Sequence, residues 1–128
     1  MSLRPDDERG SAVAEFALVA GLVALIFMAV LQLGLALHIR NTLLQCAVEG
    51  ARYGARADVA DGAAVGRAQT LIRDFTTDAY AGDVSERTTT VGGSQVVEVT
   101  VRAPLPVIGT LGPPGVVTVQ GRAYKEGQ

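Results

Sequence analysis

Residues 16–37 read FALVAGLVALIFMAVLQLGLAL, and this apolar stretch decides the architecture of the chain. It carries no charged side chain, and Gln32 is its only strongly polar residue. As a helix it extends over about 33 Å, which matches the roughly 30 Å hydrocarbon core of a bilayer. A buried core helix would need comparable apolar surface around it, and the remainder of the 128-residue chain offers none. The stretch therefore predicts a single membrane-spanning helix.

The same stretch does not read as a removable secretory signal peptide. Its length exceeds the roughly 7–15 apolar residues of such a signal. The leader that precedes it, Met1 to Gly10, has mixed charge, and no small-x-small cleavage pattern follows it at His38–Asn41. No Pro lies between Ser11 and Arg56, so we expect the helix to continue beyond the membrane as a stalk.

The junction between the leader and the apolar stretch carries the first motif. The polar segment ends at Gly10, and one carboxylate, Glu15, interrupts the apolar sequence five residues later, just before Phe16. A carboxylate at the mouth of a membrane helix is costly unless it is paired or lies near the interface. Gly, four residues and then Glu-Phe resembles the processing site of type IV prepilins, including the TadE-like branch.

This resemblance implies cleavage by a prepilin peptidase between Gly10 and Ser11, on the cytoplasmic side of the membrane. Glu15 would then be the fifth residue of the mature chain, where it would meet the new amino terminus of a neighbouring subunit. The alternative is a plain interfacial Glu15 in an uncleaved anchor. Basic residues are balanced on the two flanks of the apolar stretch, so the cytoplasmic N-terminus follows from the resemblance and not from charge.

A second motif, Glu49-Gly50-Ala51-Arg52-Tyr53, lies just past the membrane stretch and also resembles TadE-like proteins. The two motifs together cover about the first 55 residues. Glu49 and Arg52 are spaced as a helical i,i+3 ion pair. Gly50, Ala51 and Gly54 allow close approach of a second helix or backbone, and the alternative is a fraying helix end.

Small residues also follow one side of the membrane helix, and they predict a surface for helix association in lipid. These small residues are Ala14, Ala17, Gly21 and Ala24. The alternative is a lipid-facing run without a partner.

Farther along, Cys46 is the only cysteine, so an intrachain disulfide is impossible. It is interpreted as a small packing residue, with an intersubunit disulfide as the alternative.

The remainder of the chain predicts a small α+β domain. A helix is expected from about Gly62 to Tyr80, with Asp61 as its N-cap. Alternating residues predict strands at 87–91, 95–102 and 116–124, and the segment Gly92-Gly93-Ser94 predicts a hairpin between the first two. Val97, Val99 and Val101 would face one side of the sheet, and Glu98, Thr100 and Arg102 the other. The helical stripe comprises Ala64, Val65, Ala68, Leu71, Ile72 and Phe75; it would cover the sheet or, alternatively, bind a partner.

The predicted organisation is thus a prepilin-type leader at 1–10, a transmembrane and stalk helix at 11–57, and an extracytoplasmic α+β domain at 58–128. The fold class is α+β, with the long helix followed by a short helix on a small antiparallel sheet, as in pilins.

Composition argues against several classes of function. The net charge is −2, and no basic patch of the kind that nucleic-acid binding needs is present. One histidine and one cysteine make a zinc site improbable, and no Gly-rich phosphate loop with a lysine occurs. We therefore expect no cofactor, no metal, no nucleic-acid partner and no enzymatic activity.

The resemblance implies a minor pilin or pseudopilin of a Tad-type (type IVc) pilus. Such a protein would sit in the inner membrane as a single-pass component and would assist assembly of the filament. Its expected partners are membrane lipid, a prepilin peptidase, other pilin subunits and Tad assembly proteins. The alternative is an uncleaved single-pass adaptor whose outer domain binds an envelope or secreted partner.

Overall fold

A computed structural model describes residues 5–105 and 115–127 of the chain. It contains two helices, α1 (Pro5–Gly54) and α2 (Ala63–Phe75), a short 3-10 helix (Asp78–Tyr80), and three strands. The strands are β1 (Asp83–Val91), β2 (Ser94–Pro104) and β3 (Val116–Tyr124). Contacts divide the chain into an N-terminal unit, Met1–Gly34, and a C-terminal unit, Leu35–Gln128. The predicted α+β class is confirmed.

Helix α1 begins at Pro5, within the polar leader, and runs without interruption to Gly54. Proline is well suited to the first helical position because its missing N–H would have no partner there. Within the described residues, α1 is the helix long and apolar enough to cross a membrane. Its large apolar side chains in the N-terminal unit are exposed, among them Phe16, Leu22 and Phe27. This indicates a single-pass membrane protein, because lipid would solvate such a surface and water would not.

The C-terminal unit contains a sheet of order β1-β2-β3 in which both pairs are antiparallel. The β1–β2 hairpin turns at Gly92 and Gly93, whose φ angles are 58° and 86°. A two-residue turn with positive φ at both positions matches the twist of the flanking strands, and glycine adopts it without strain. The predicted hairpin is confirmed, and Ser94 is already the first residue of β2.

One face of the sheet packs on the two helices and forms the core. Valines of β2 alternate as predicted, with Val97, Val99 and Val101 completely or almost completely buried. Leu43 of α1 and Ile72 of α2 are fully buried against them. Small residues supply most of the remaining core on the helices, namely Cys46, Ala47, Ala51, Ala64 and Ala68.

Helix α2 is shorter than the sequence predicts. It ends at Phe75, where the N–H and hydroxyl of Thr76 both donate to the carbonyl of Ile72, at 2.8 and 2.7 Å. A separate 3-10 turn follows, so the expected helix to Tyr80 was wrong over its last five residues. Phe75, the last member of the predicted stripe, is 69% exposed because the covered face of α2 ends at Ile72.

The prediction of Asp61 as the N-cap of α2 was also wrong. Gly62 is the cap residue, in the left-handed conformation with φ 93°, and it has no side chain to offer. Glu86 of β1 caps the helix instead, since its carboxylate accepts from the N–H groups of Gly62 and Ala64 at 3.3 and 3.2 Å. Asp61 forms an ion pair with Lys125 at 3.2 Å.

Candidate functional site

The junction that resembles a prepilin processing site lies on helix α1 in the N-terminal unit. Gly10, Ser11, Glu15 and Phe16 are all helical and exposed. A Cβ built on Gly10 would have no atom within 4 Å. A larger side chain at Gly10 would therefore leave the fold unchanged, so its effect on processing can be measured separately from its effect on folding.

The four small residues expected to mediate helix association are also exposed. Ala14, Ala17, Gly21 and Ala24 are spaced by three, four and three residues, which keeps them on one face of α1. A Cβ on Gly21 would likewise have no atom within 4 Å. The face is thus open to a second helix, although its use in association stays a prediction.

The Glu49–Tyr53 motif divides into an inward and an outward part. Gly50 and Ala51 are buried against α2, whereas Glu49 and Arg52 are exposed and form an ion pair of 3.0 Å. The predicted i,i+3 pair is therefore confirmed. The guanidinium of Arg56, just past the end of α1, lies 5.8 Å from the centre of the Tyr53 ring, within cation–π range.

Glycines bring α1 and α2 into close contact in the C-terminal unit. A Cβ on Gly50 would lie 2.8 Å from the Cβ of Ala68, and one on Gly54 would lie 2.5 Å from the Cβ of Ala64. Real Cβ atoms do not approach that closely, so these positions need glycine at the observed spacing. Close approach of a second helix is confirmed, and the alternative of a fraying helix end is wrong for these residues.

A third close approach, at Gly121 of β3, was missed by the sequence analysis. A Cβ at this position would collide with the backbone of α1 at Ala47 and Val48. The signal was present, because a glycine inside an otherwise regular strand marks a close backbone approach. We call the set Ala47, Gly50, Gly54, Ala64, Ala68 and Gly121 the small-residue seam.

Cys46 is a buried packing residue beside this seam. Only 3% of it is exposed, and it has no disulfide. Burial raises the pKa of its thiol, and a hydrogen bond from the backbone offsets part of that rise. It lines a surface cavity of about 380 Å³ with Leu71 and Phe75. Its burial disfavours the alternative of an intersubunit disulfide.

A charged ladder across the sheet is the one buried polar feature among the described residues. Glu98 of β2 accepts from Arg87 of β1 at 2.9 Å and from Arg122 of β3 at 2.6 Å. Burial alone would raise the pKa of Glu98, but the hydrogen bonds and positive charges of Arg122 and Arg87 outweigh it and lower the pKa below its ordinary value. The sequence analysis placed Glu98 on the outer face but did not foresee its burial.

Among the described residues, no group of three or more His, Cys, Asp or Glu side chains could hold a metal ion. The candidate functional features of the structure are the exposed junction at residues 10–16, the exposed apolar segment of α1, the small-residue seam and the charged ladder.

Comparison with known families gives a match near the N-terminus of the chain. Residues 10–52 match the family model described as TadE-like protein. The match begins at Gly10, contains the whole apolar stretch, and ends at Arg52 inside the second motif, so it covers about a third of the chain. No curated protein and no solved structure matches the chain. The resemblance expected from the two motifs is confirmed.

Proposed function

We propose that this chain, which is TadE-like over residues 10–52, is a minor pilin or pseudopilin that assists assembly of a Tad-type pilus. The match to the TadE-like family suggests that the chain is a protein associated with Tad pili. The finer role is structural: a subunit anchored in the inner membrane by α1, with its N-terminus cytoplasmic and its C-terminal unit on the outer side. No catalytic step is part of this proposal.

The junction at residues 10–16 carries the proposal. It is exposed on a helix whose apolar side chains are uncovered for the following twenty residues or so, and the family match begins at its glycine. This supports cleavage by a prepilin peptidase between Gly10 and Ser11. The same peptidase and the other pilin subunits would be its partners, together with Tad assembly proteins and membrane lipid.

A minor role suits the size of the C-terminal unit. The abundant pilin of such systems is usually much shorter, with little beyond the helix, whereas this chain has a sheet and a second helix around their own core. A folded domain of that kind can cap, prime or guide a filament without being its repeating unit.

Glu15 provides the mechanism by which a cleaved subunit would enter an assembly. Its carboxylate lies at the start of the apolar surface and has no ion-pair partner among the described residues. After cleavage, the amine of Ser11 on a neighbouring subunit would be a positive charge at a similar depth. Pairing the two charges would relieve the desolvation of both, and would set the register of one helix against the next.

The substitution Glu15→Ala tests this mechanism. We expect Glu15→Ala to leave membrane insertion intact, because it removes a charge from an apolar helix, and to reduce entry into the filament or assembly complex by about tenfold or more, as loss of a charge pair worth over ~1.4 kcal/mol would. Glu15→Asp should restore part of the assembly. The measurement compares membrane and sheared-pilus fractions by immunoblot, with cleavage scored separately.

Glu8→Ala is the matched control, because it removes a carboxylate from the segment that cleavage would discard. It should assemble like the wild type. If Glu15→Ala is cleaved and assembles as efficiently as Glu8→Ala, the charge-register mechanism is incorrect. An uncleaved single-pass adaptor would then describe the chain better.

A further inference from the structure

The face of the sheet that points away from the helices carries a buried carboxylate, that of Glu98, which is paired with two arginines. Val97, Val99 and Val101 occupy the inner face, so Glu98 belongs to the outer one. Its side chain is nevertheless only 3% exposed. The residues directly opposite it on both neighbouring strands, Arg87 and Arg122, cover it from either side.

These three residues leave one positive charge unmatched. Glu98 contributes −1 and the two arginines +2, and within the described residues Glu98 is the only carboxylate bonded to either guanidinium. The side chains of Arg87 and Arg122 are 70% and 58% exposed. Each guanidinium has five N–H donors and uses one on Glu98, so several donors of each arginine face solvent.

Fold stability alone does not explain such a ladder. Ion pairs whose arginines are largely exposed, as Arg87 and Arg122 are, contribute little to stability because water and salt screen them. The ladder does fix the arginines in place, because one buried carboxylate holds their two guanidinium groups in set orientations on both sides of the central strand. Guanidinium groups held in this way are suited to recognise a further carboxylate by paired hydrogen bonds.

A shallow apolar cleft adjoins the ladder at one end. Its volume is about 150 Å³, and Val96, Arg122 and Tyr124 are among the residues that line it. Tyr124 is 66% exposed although it is a large aromatic residue. An exposed ring beside an apolar floor offers a surface for the flat, apolar side of a sugar ring. Hydrogen-bonding side chains continue along the outer face at Ser85, Thr89, Thr100, Thr118 and Gln120.

We propose that this outer face binds an acidic polysaccharide, with a uronic-acid carboxylate held between Arg87 and Arg122 and its ring against Tyr124. One monoanion neutralises the unmatched charge of the ladder, which is the complementarity that carries the proposal. Glu98 acts as a positioning residue, because it orients the two arginines without contacting the ligand. This inference does not depend on the role proposed in pilus assembly.

The test uses the full chain in detergent micelles and measures binding to polygalacturonate, with dextran as the uncharged comparison. We expect binding that weakens as salt rises, and no binding to dextran. Arg122→Lys keeps the positive charge but loses the planar pair of guanidinium N–H donors, and it should weaken binding several-fold. Arg87→Gln should weaken it about tenfold or more, as loss of a charge-assisted contact does. Arg67→Gln, an exposed arginine on α2, is the charge-matched control and should bind like the wild type.

Tyr124→Ala separates recognition from simple charge attraction, because it leaves the ladder intact. It should weaken polygalacturonate binding several-fold without changing the thermal unfolding midpoint. Equal binding by Arg87→Gln, Arg122→Lys and Arg67→Gln would overturn the proposal and leave the ladder as a device that fixes strand register. Binding of poly-glutamate but not polygalacturonate would overturn it in favour of a protein partner.

Discussion

Two segments of helix α1 follow opposite rules of composition. Between Val13 and Leu33 the large apolar side chains are exposed except for the half-buried Met28, whereas between Leu43 and Gly54 the buried positions are filled mainly by alanine and glycine. In the first segment, a Cβ built on Gly21 would have no atom within 4 Å. In the second, the helix backbone lies against α2 and β3 with little space between them.

The difference reflects what surrounds each segment. Lipid accepts any apolar surface, so the first segment needs bulk and hydrophobicity but no particular shape. The second segment is part of a close-packed core, where added volume must displace a neighbour. Substitutions that add volume should therefore be harmful in the small-residue seam and harmless to folding in the membrane segment.

The largest effect is expected for Gly121→Val, which would place a branched side chain against the backbone of α1. Backbone cannot move aside as a flexible side chain can, so we expect the C-terminal unit to lose about 3 kcal/mol or more of stability. Chemical unfolding of the purified protein, followed by circular dichroism, measures the loss. Gly82→Val is the control, since a Cβ there meets nothing within 4 Å. Similar unfolding midpoints for the two variants would contradict the close approach of β3 to α1.

A paired comparison within α1 should give a smaller effect. Gly50→Leu places atoms against Ala68 and the carbonyl of Ala64, and should cost about 1–3 kcal/mol. Gly21→Leu, the same change in the membrane segment, should leave unfolding unaltered and weaken association with partner subunits, because it adds bulk to the open small-residue face. Chemical unfolding and crosslinking in membranes distinguish the two. Unchanged crosslinking of Gly21→Leu would mean that this face contacts lipid alone.

Features that depend on a local sequence pattern could be predicted from the sequence. Length and hydrophobicity predicted the membrane helix, and glycine placement predicted both the close approach of a second helix at Gly50 and Gly54 and the hairpin at Gly92 and Gly93. The cap of α2 could not be predicted, because Glu86 is distant in sequence and reaches the helix only after β1 has folded beside it. The same holds for Glu98, whose burial depends on the register that places Arg87 and Arg122 directly opposite it.

The ladder also makes the stability of the C-terminal unit depend on pH. The pKa of Glu98 is lowered in the folded protein, so its ionised form stabilises the fold. That contribution is fully present above the pKa of an unfolded glutamate, about 4.3, and is lost as pH falls through the lower folded value. We expect the unfolding midpoint to decrease over this acidic range and to decrease less in Glu98→Gln. An identical acid profile for both would show that Glu98 contributes no such linkage.

The mass of the mature protein tests the central claim most directly, because a processed N-terminus is what separates a pilin-type subunit from an uncleaved adaptor. Intact and N-terminal mass spectrometry should be performed on the membrane-bound form from cells with an active prepilin peptidase. We predict a chain that begins at Ser11 and lacks residues 1–10. Gly10→Leu should retain the leader, whereas Gly21→Leu, the same substitution at a second open position of α1, should be cleaved normally. An intact Met1 N-terminus in the wild-type protein would contradict the account.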